Sequence, residues 1–232
     1  MSFEAGQKAL KRGDHAAAAA EFAAAAEGGD AQSQYFLGLL YGNGDGVPTD
    51  LARARELFQK AAEAGSVEAQ YSLGVIYAEG RGVSANKAEA AYWYGKAAEK
   101  GYAPAQNNLG SLYEAGEGVT RDYLKAVELY GQAAAQGFTV AYFNLALMCD
   151  GGIGMERDYD KAAQLYGVAA KAGLDEAQYN LGLLYSSGQG VPFDLDAAQM
   201  WLEKAASQGH GGAVEVLKKL RANMARHLGS AG

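Results

Sequence analysis

The segment from which the fold can be derived is residues 69–101, AQYSLGVIYAEGRGVSANKAEAAYWYGKAAEKG. In its first part, Ala69, Leu73 and Tyr77 recur at every fourth residue, which is the spacing of one face of an α-helix. Val75 and Ile76 are apolar as well, and they fit the same helical spacing. The pattern therefore predicts a helix, named helix A, over about Val67–Glu79.

The rest of the segment predicts a second helix, named helix B. Gly80 and Gly82 end helix A, because glycine tolerates the left-handed conformation found at a helix C-cap. Asn86 is a good N-cap for helix B, since its side-chain oxygen can accept a hydrogen bond from a free backbone N–H. Gly101 then ends helix B in the same way as Gly80 ends helix A. The segment is thus predicted to form a hairpin of two helices.

This hairpin pattern recurs every 36 residues without insertion or deletion. A leucine followed by a small residue marks each unit, at Leu37-Gly38, Leu73-Gly74, Leu109-Gly110, Leu145-Ala146 and Leu181-Gly182. A hairpin of this size cannot bury its apolar faces alone, so neighbouring units must stack. We predict one all-α solenoid domain over residues 1–232. It would consist of an N-terminal helix pair over residues 1–30, five repeats and a C-terminal capping helix over residues 213–229. The predicted repeats are residues 33–68, 69–104, 105–140, 141–176 and 177–212.

Composition narrows the possible partners. The chain has 27 acidic and 20 basic residues, a formal charge of −7, and this balance disfavours nucleic acid or an anionic membrane surface. A single cysteine cannot form an intramolecular disulfide. The N-terminal residues lack the basic and apolar segments of a secretory signal, and the apolar runs are too short to span a bilayer. We therefore expect a cytoplasmic protein without membrane insertion.

The spaced residues resemble those of the Sel1-like repeat family, relatives of the tetratricopeptide repeat. The resemblance rests on a G-x-G-V loop and two runs, A-x-x-x-L-G-x-x-Y and A-x-x-W-Y-x-x-A-A-x-x-G, which here comprise Ala69, Leu73, Gly74, Tyr77, Ala90, Trp93, Tyr94, Ala97, Ala98 and Gly101. The resemblance implies a right-handed α/α superhelix and an adaptor role in protein complexes, mostly in bacteria. A cysteine-rich subgroup of the family has been linked to weak β-lactamase activity. A hydrolase acting on cell-wall or β-lactam substrates is therefore the alternative, although this chain lacks those cysteines.

Helix geometry predicts where a partner would bind. In stacked hairpins the A helices line the concave side, and the face of helix A opposite Leu73 points into that groove. The predicted groove residues are Tyr35, Leu39, Tyr71, Val75, Glu79, Asn107, Asn108, Ser111, Glu114, Phe143, Asn144, Leu147, Asp150, Tyr179, Asn180 and Leu183. The aromatic and apolar members would hold apolar side chains, the amides an extended backbone, and the acidic members a basic segment. The aromatic members at equivalent repeat positions form an aromatic row (Tyr35, Tyr71, Phe143 and Tyr179), and the aliphatic members form an apolar row (Leu39, Val75, Leu147 and Leu183). Packing between neighbouring A helices would equally explain both rows.

No catalytic, metal-binding or cofactor-binding constellation is evident. Cys149 occupies an apolar repeat position, which predicts a buried and inert thiol. The three histidines have no Ser, Cys or carboxylate partner in the repeat frame, so no catalytic triad can be proposed. We therefore predict a non-enzymatic scaffold whose partner is another protein or peptide. A monomer is the simplest expectation, and homo-oligomer formation through the terminal helix stripe of Leu217, Leu220 and Met224 stays open.

Overall fold

The computed structural model describes the backbone of residues 2–229 and the side chains of residues 2–222. The described residues form thirteen α-helices and no strand. The helices are α1 Phe3–Lys11, α2 His15–Glu27, α3 Ala31–Asn43, α4 Leu51–Glu63, α5 Val67–Glu79, α6 Lys87–Glu99, α7 Ala103–Ala115, α8 Tyr123–Ala135, α9 Thr139–Gly151, α10 Tyr159–Lys171, α11 Asp175–Ser187, α12 Leu195–Ser207 and α13 Gly211–Gly229.

The chain divides into two compact units after Arg121, so that unit 1 contains α1 to α7 and unit 2 contains α8 to α13. Within each unit, consecutive helices pack against each other in chain order. The A helices of the five repeats are α3, α5, α7, α9 and α11, and the B helices are α4, α6, α8, α10 and α12. The predicted all-α fold class is thereby confirmed.

The ends of the helices follow the sequence signals. Helix α5 has the predicted bounds, Val67–Glu79, and its C-cap is Gly80 with a φ of 74°. Asn86 caps α6 by accepting hydrogen bonds from the backbone N–H groups of Ala88 (3.1 Å) and Glu89 (3.2 Å). The Asp side chain before each of the other B helices accepts a hydrogen bond in the same way. Local capping chemistry therefore marks the C-terminal end of α5 and the start of each B helix of the repeats.

In the first two repeats, the glycine that follows the leucine of the A helix makes room for an aromatic side chain of the following B helix. A Cβ atom added at Gly38 would lie 2.8 Å from Cε1 of Phe58, and one added at Gly74 would overlap the ring of Tyr94. Real Cβ contacts at such distances do not occur, so glycine is required there. The B-helix ring occupies the space that glycine leaves, and this ring contact joins the two helices of a hairpin.

Buried glutamines join successive hairpins, a feature that the sequence analysis missed. Each donates a hydrogen bond from Nε2 to a backbone carbonyl eight residues earlier, at the end of the preceding helix. The pairs are Gln34 with Ala26 (3.3 Å), Gln70 with Ala62 (3.1 Å), Gln106 with Ala98 (3.3 Å) and Gln178 with Ala170 (3.1 Å). In the fourth repeat Tyr142 occupies the equivalent position.

The last helix covers the end of unit 2. Ala213 and Leu217 of α13 are buried in one apolar cluster with Leu202 and Ala205, and Leu220 packs against this cluster. Two of the three residues of the predicted terminal stripe are thus used within unit 2. The third, Met224, lies outside the described side chains.

Candidate partner-binding site on the A helices

Most of the predicted groove residues lie at the surface of the A helices and are half-buried. The half-buried members are Tyr35, Leu39, Tyr71, Val75, Asn108, Glu114, Phe143, Asn144, Asp150, Tyr179, Asn180 and Leu183. Glu79, Ser111 and Leu147 are exposed, and Asn107 is buried. The face therefore combines accessible side chains with side chains that contact the interior.

The aromatic row of this face packs against aromatic rings of neighbouring elements. The ring pairs, with the distances between centroids, are Tyr35 with Phe58 (5.8 Å), Tyr71 with Tyr94 (5.7 Å), Phe143 with Tyr166 (5.9 Å) and Tyr179 with His210 (4.4 Å). Such contacts contribute to stability, which matches the packing interpretation of this row. The same rings remain half-buried, so one part of each surface stays accessible.

Three predicted asparagines, Asn108, Asn144 and Asn180, occupy equivalent positions of the repeats. The amides of Asn108 and Asn180 have the following internal partners. Asn180 donates a hydrogen bond from Nδ2 to the backbone carbonyl of Glu176 (3.0 Å), within its own helix. Asn108 bonds the hydroxyl of Tyr94 and accepts a hydrogen bond from Nδ2 of Asn107 (3.3 Å). A helix-interior asparagine that bonds a carbonyl of the preceding turn is a local structural feature. We therefore rank the asparagines below the apolar residues as candidates for ligand contact.

One pocket in unit 1 brings five of the predicted residues together. It has a volume of about 420 Å³ and lies among α3 to α7. The five predicted residues in its wall are Leu39, Tyr71, Val75, Glu79 and Asn108. This volume is within the range of about 300–1,000 Å³ that is typical of ligand pockets.

The floor and the rim of this pocket include residues that the sequence analysis did not select. Buried Ala54, Phe58 and Ile76 supply apolar surface. Arg81, from the loop after α5, is also part of the lining and forms an ion pair with Glu79. Arg81 lies outside the helix positions from which the groove residues were predicted, and none of those positions holds Lys or Arg.

The hydroxyls of Tyr35 and Tyr94 in unit 1 stay protonated at neutral pH, because burial raises their pKa. Burial raises the pKa of Tyr94 to about 12, although the hydrogen bond with Asn108 acts in the opposite direction. Burial also raises the pKa of Tyr35, with smaller contributions from Tyr102 and Glu68. These hydroxyls therefore serve as neutral donors and acceptors.

The corresponding face of unit 2 has a different chemistry. The hydroxyl of Tyr166 donates a hydrogen bond to Oδ2 of Asp150 (3.3 Å). Cys149 is buried, with Sγ 3.2 Å from Sδ of Met155, and burial raises the pKa of its thiol. A raised pKa keeps the thiol in its unreactive form, as expected from the sequence.

The described part of the chain contains neither a candidate metal site nor a candidate membrane-spanning helix. No group of three or more His, Cys, Asp or Glu side chains there could hold a metal ion. No helix among the described residues has the length and apolar character needed to cross a membrane.

Comparison with solved structures shows close similarity to bacterial repeat proteins. The chain is 38% identical to c5321, a protective antigen of uropathogenic Escherichia coli with an SLR fold, at a TM-score of 0.88. The match covers 93% of this chain but only 47% of c5321, so the chain spans about half of that protein. A Sel1 repeat protein from Oxalobacter formigenes is 34% identical at a TM-score of 0.85, over 91% of this chain and 84% of its own. No curated protein matches the chain in sequence.

The family model of the Sel1 repeat matches five consecutive segments. They are residues 31–66, 67–102, 103–138, 139–174 and 175–210, and each begins at the first residue of an A helix. Repeats of this kind commonly serve as non-catalytic scaffolds for protein interactions. Because the matched segments cover most of the sequence, the chain belongs to the Sel1 repeat family.

Proposed function

We propose that the protein is a non-enzymatic adaptor that binds a segment of another protein on the face of its A helices. The observation that carries this proposal is the pocket in unit 1, where five residues selected from the repeat frame line one cavity. Apolar side chains of a partner would leave water on entering it, which is the main source of favourable free energy in such association.

The accessible part of this face supports the same function in unit 2. Leu147 of α9 is 38% exposed, half-buried Phe143 lies one helical turn before it in the same helix, and half-buried Leu183 occupies the equivalent position of the next repeat. Half-buried aromatic and aliphatic side chains of this kind are typical of the central part of a protein interface. The single free cysteine is compatible with a cytoplasmic location, which is part of this proposal.

A hydrolase acting on cell-wall or β-lactam substrates is the competing function, and no specific observation favours it. The family members linked to that activity are rich in cysteine, whereas Cys149 is the only cysteine here and is buried. Purified protein is expected to show no turnover of a chromogenic β-lactam. Turnover that is lost on replacing one hydroxyl or carboxyl side chain would contradict the adaptor function.

Site-specific photo-crosslinking in cells of the source organism tests the adaptor function. A photoreactive amino acid is placed at Leu147 on the A helices or, as the matched control, at Val168 on the B helices. Both side chains are exposed aliphatics, at 38% and 45%. We expect a discrete protein adduct from position 147 and none from position 168. Adducts from position 168 alone, or the same adducts from both positions, would contradict binding at the A helices.

A further inference from the structure

Residue 42, in the lining of the pocket in unit 1, is a glycine. The equivalent positions of the other repeats hold Ala78, Glu114, Asp150 and Ser186. Gly42 lies inside α3 and has no positive φ, so its backbone conformation does not require glycine. A Cβ atom added there would make ordinary contact with the Cβ of Ala54, at 3.8 Å. Alanine would therefore fit at position 42, and glycine leaves this part of the pocket wall without a side chain.

The interior of the pocket suits an apolar group. Its floor is formed by Phe58, Ile76 and Ala54, and its walls include Leu39 and Val75. No charged side chain contributes to this floor, because the charged lining residues are the exposed Glu79 and Arg81, whereas Tyr94 of the B helix α6 adds one hydroxyl to the lining. A bulky aliphatic or aromatic side chain is the group that such a cavity stabilises most.

The charges of the repeats are segregated between the two helix types. The described A helices carry acidic residues and no Lys or Arg, whereas the B helices carry both signs in nearly equal number. The acidic residues of the A helices are Glu68, Glu79, Glu114, Asp150, Asp175 and Glu176. Electrostatic complementarity therefore favours a cationic partner on the A-helix face.

One of these acidic residues stands at the rim of the pocket. Glu79 forms an ion pair with Arg81, and the two side chains are 50% and 60% exposed. An exposed pair of this kind contributes at most about 1 kcal/mol, so a cation of the partner can replace Arg81 at little cost. Arg81 then acts as an internal competitor for Glu79.

From this geometry we infer that the pocket between α3 and α5 is an anchor site for a basic protein segment. One bulky apolar side chain of the segment enters the cavity that Gly42 leaves open, and a neighbouring Lys or Arg contacts Glu79 in place of Arg81. The inference rests on the adaptor function proposed above and names the chemistry of its partner. It commits to a foreign basic segment rather than a second copy of the chain.

The probe for the test is a phage-displayed library of random peptides selected on the wild-type protein. We expect the selected peptides to share one bulky apolar residue with Lys or Arg close to it. A synthetic copy of a selected peptide is then titrated calorimetrically against variants. Gly42→Leu fills the pocket and is expected to weaken binding at least tenfold. Gly95→Leu is the matched control, because a Cβ there meets nothing within 4 Å, and it should change the Kd less than twofold.

Removing the charge of Glu79 and removing that of Arg81 should change the affinity for the peptide in opposite directions. Glu79→Gln removes the contact for the basic residue and is expected to weaken binding about threefold to tenfold. Arg81→Gln removes the competitor and is expected to strengthen binding about twofold to fivefold. Both effects should shrink as salt concentration rises, because exposed charges are screened. A pocket that acts only through shape would show neither effect. Val75→Ser, in the pocket wall, serves as a second pocket variant if Gly42→Leu does not give a folded protein by circular dichroism.

The remaining outcomes separate this inference from the adaptor function. If selected peptides bind Gly42→Leu as well as wild type but lose binding to Leu147→Ser, the anchor site is wrong and the adaptor function stands. If selected peptides are acidic, the charge argument is wrong. If wild type self-associates in sedimentation and Gly42→Leu does not, a second copy occupies the pocket and the inference is overturned. If no peptide depends on any A-helix residue, both proposals fail.

Discussion

The first and fourth Sel1 repeats share one backbone frame and differ in the chemistry of the A-helix face. Helices α3 and α9 have the same length, as do α4 and α10. In the first repeat, Gly42 and Phe58 border an open apolar pocket. In the fourth repeat, the equivalent residues are Asp150 and Tyr166, and a hydrogen bond of 3.3 Å joins them. The two repeats therefore keep one hairpin, while the residues at these two positions change the chemistry of the A-helix face.

The same two repeats also fill one core position in different ways. The first has Tyr41 with Val47, a large residue with a small one, and both pack on the core of unit 1. The fourth has Cys149 with Met155, whose sulfur atoms lie 3.2 Å apart. The volumes compensate, since a smaller residue at one position accompanies a larger residue at the other. Because protein cores are closely packed, stability should depend on the summed volume of the two side chains and not on either residue alone.

The largest expected effect follows from giving the first repeat the chemistry of the fourth. In Gly42→Asp/Phe58→Tyr, the introduced carboxylate and phenol occupy the pocket. The apolar anchor of a selected basic peptide then stays in water, at a cost of about 1.5–3 kcal/mol, which is roughly a tenfold to hundredfold weaker Kd. Calorimetric titration at high salt measures this loss with the charge effect reduced.

The control for this exchange is the reverse change in the fourth repeat, Asp150→Gly/Tyr166→Phe. It alters the same residue types in unit 2 and, at high salt, where the charge of Asp150 is screened, should leave the Kd of the selected peptide within a factor of two. An equal loss of affinity in both double variants would show that peptide binding does not depend on the open pocket of the first repeat.

Substitutions at Cys149 and Met155 should have coupled effects on the free energy of unfolding. Cys149→Tyr places a ring in a fully buried position beside Met155 and is expected to lower the free energy of unfolding by about 1–3 kcal/mol. Met155→Val creates the space that a ring needs, so the double variant should recover most of this loss, with a coupling energy of about 0.5–3 kcal/mol. Urea-induced unfolding of wild type, both single variants and the double variant gives the cycle. Additive effects would show that the two positions do not share one cavity.

The hydrogen bond that distinguishes the fourth repeat should contribute to stability in a pH-dependent way. Tyr166→Phe removes the donor to Asp150 and is expected to cost about 1–2 kcal/mol at pH 7. Burial and the carboxylate of Asp150 hold the pKa of Tyr166 well above its ordinary value of 10.0. The folded state thus binds this proton more tightly than the unfolded state, so the stability is present below about pH 10 and is lost as the pH rises further.

Urea unfolding between pH 7 and pH 12 measures this dependence. Stability of Tyr166→Phe should fall less steeply above pH 10 than that of wild type. Tyr94, whose pKa burial raises to about 12, continues to contribute a slope in both proteins. A slope that is unchanged by the substitution would show that Tyr166 does not titrate differently in the folded and unfolded chain.

Most of the fold was predictable because its signals are local. The spacing of Ala69, Leu73 and Tyr77, together with the glycine that ends the helix, predicts α5 with the bounds that the structure has. The glutamine bonds were not predictable in this way, because Gln70 bonds a backbone carbonyl that no side chain marks in the sequence. The sequence thus specifies the hairpin more directly than the contacts between hairpins.

The candidate site was predictable only in part. Helical spacing identifies the accessible face, and five of its residues do line the pocket. The lining also includes Gly42, which has no side chain, and the loop residue Arg81, and neither was among the predicted groove residues. Asn180 shows the converse, because its type suggested a ligand contact whereas its amide bonds its own helix. Burial and side-chain direction decide these cases, and both require coordinates.

The smallest expected effect concerns the buried glutamines that join successive hairpins. In the last repeat, Nε2 of Gln208 donates to Oε1 of Gln178 and to the carbonyl of Gly173, both at 2.9 Å. The first repeat has Ala64 in place of Gln208, and Oε1 of Gln34 is buried without a hydrogen-bond partner among the described residues. Ala64→Gln supplies the missing donor and is expected to raise the free energy of unfolding by about 0.5–1 kcal/mol.

The fourth repeat supplies the matched control, because Tyr142 replaces the glutamine there. Ala172→Gln changes the same type of exposed residue after a B helix, yet its amide meets no glutamine acceptor, so its gain should be smaller than that of Ala64→Gln. Urea unfolding of the two variants separates the bond to the buried glutamine from a general effect of Gln at the helix end. Equal gains would assign the stabilisation to the helix end, and a gain only for Ala64→Gln would assign it to satisfying the buried Oε1 of Gln34.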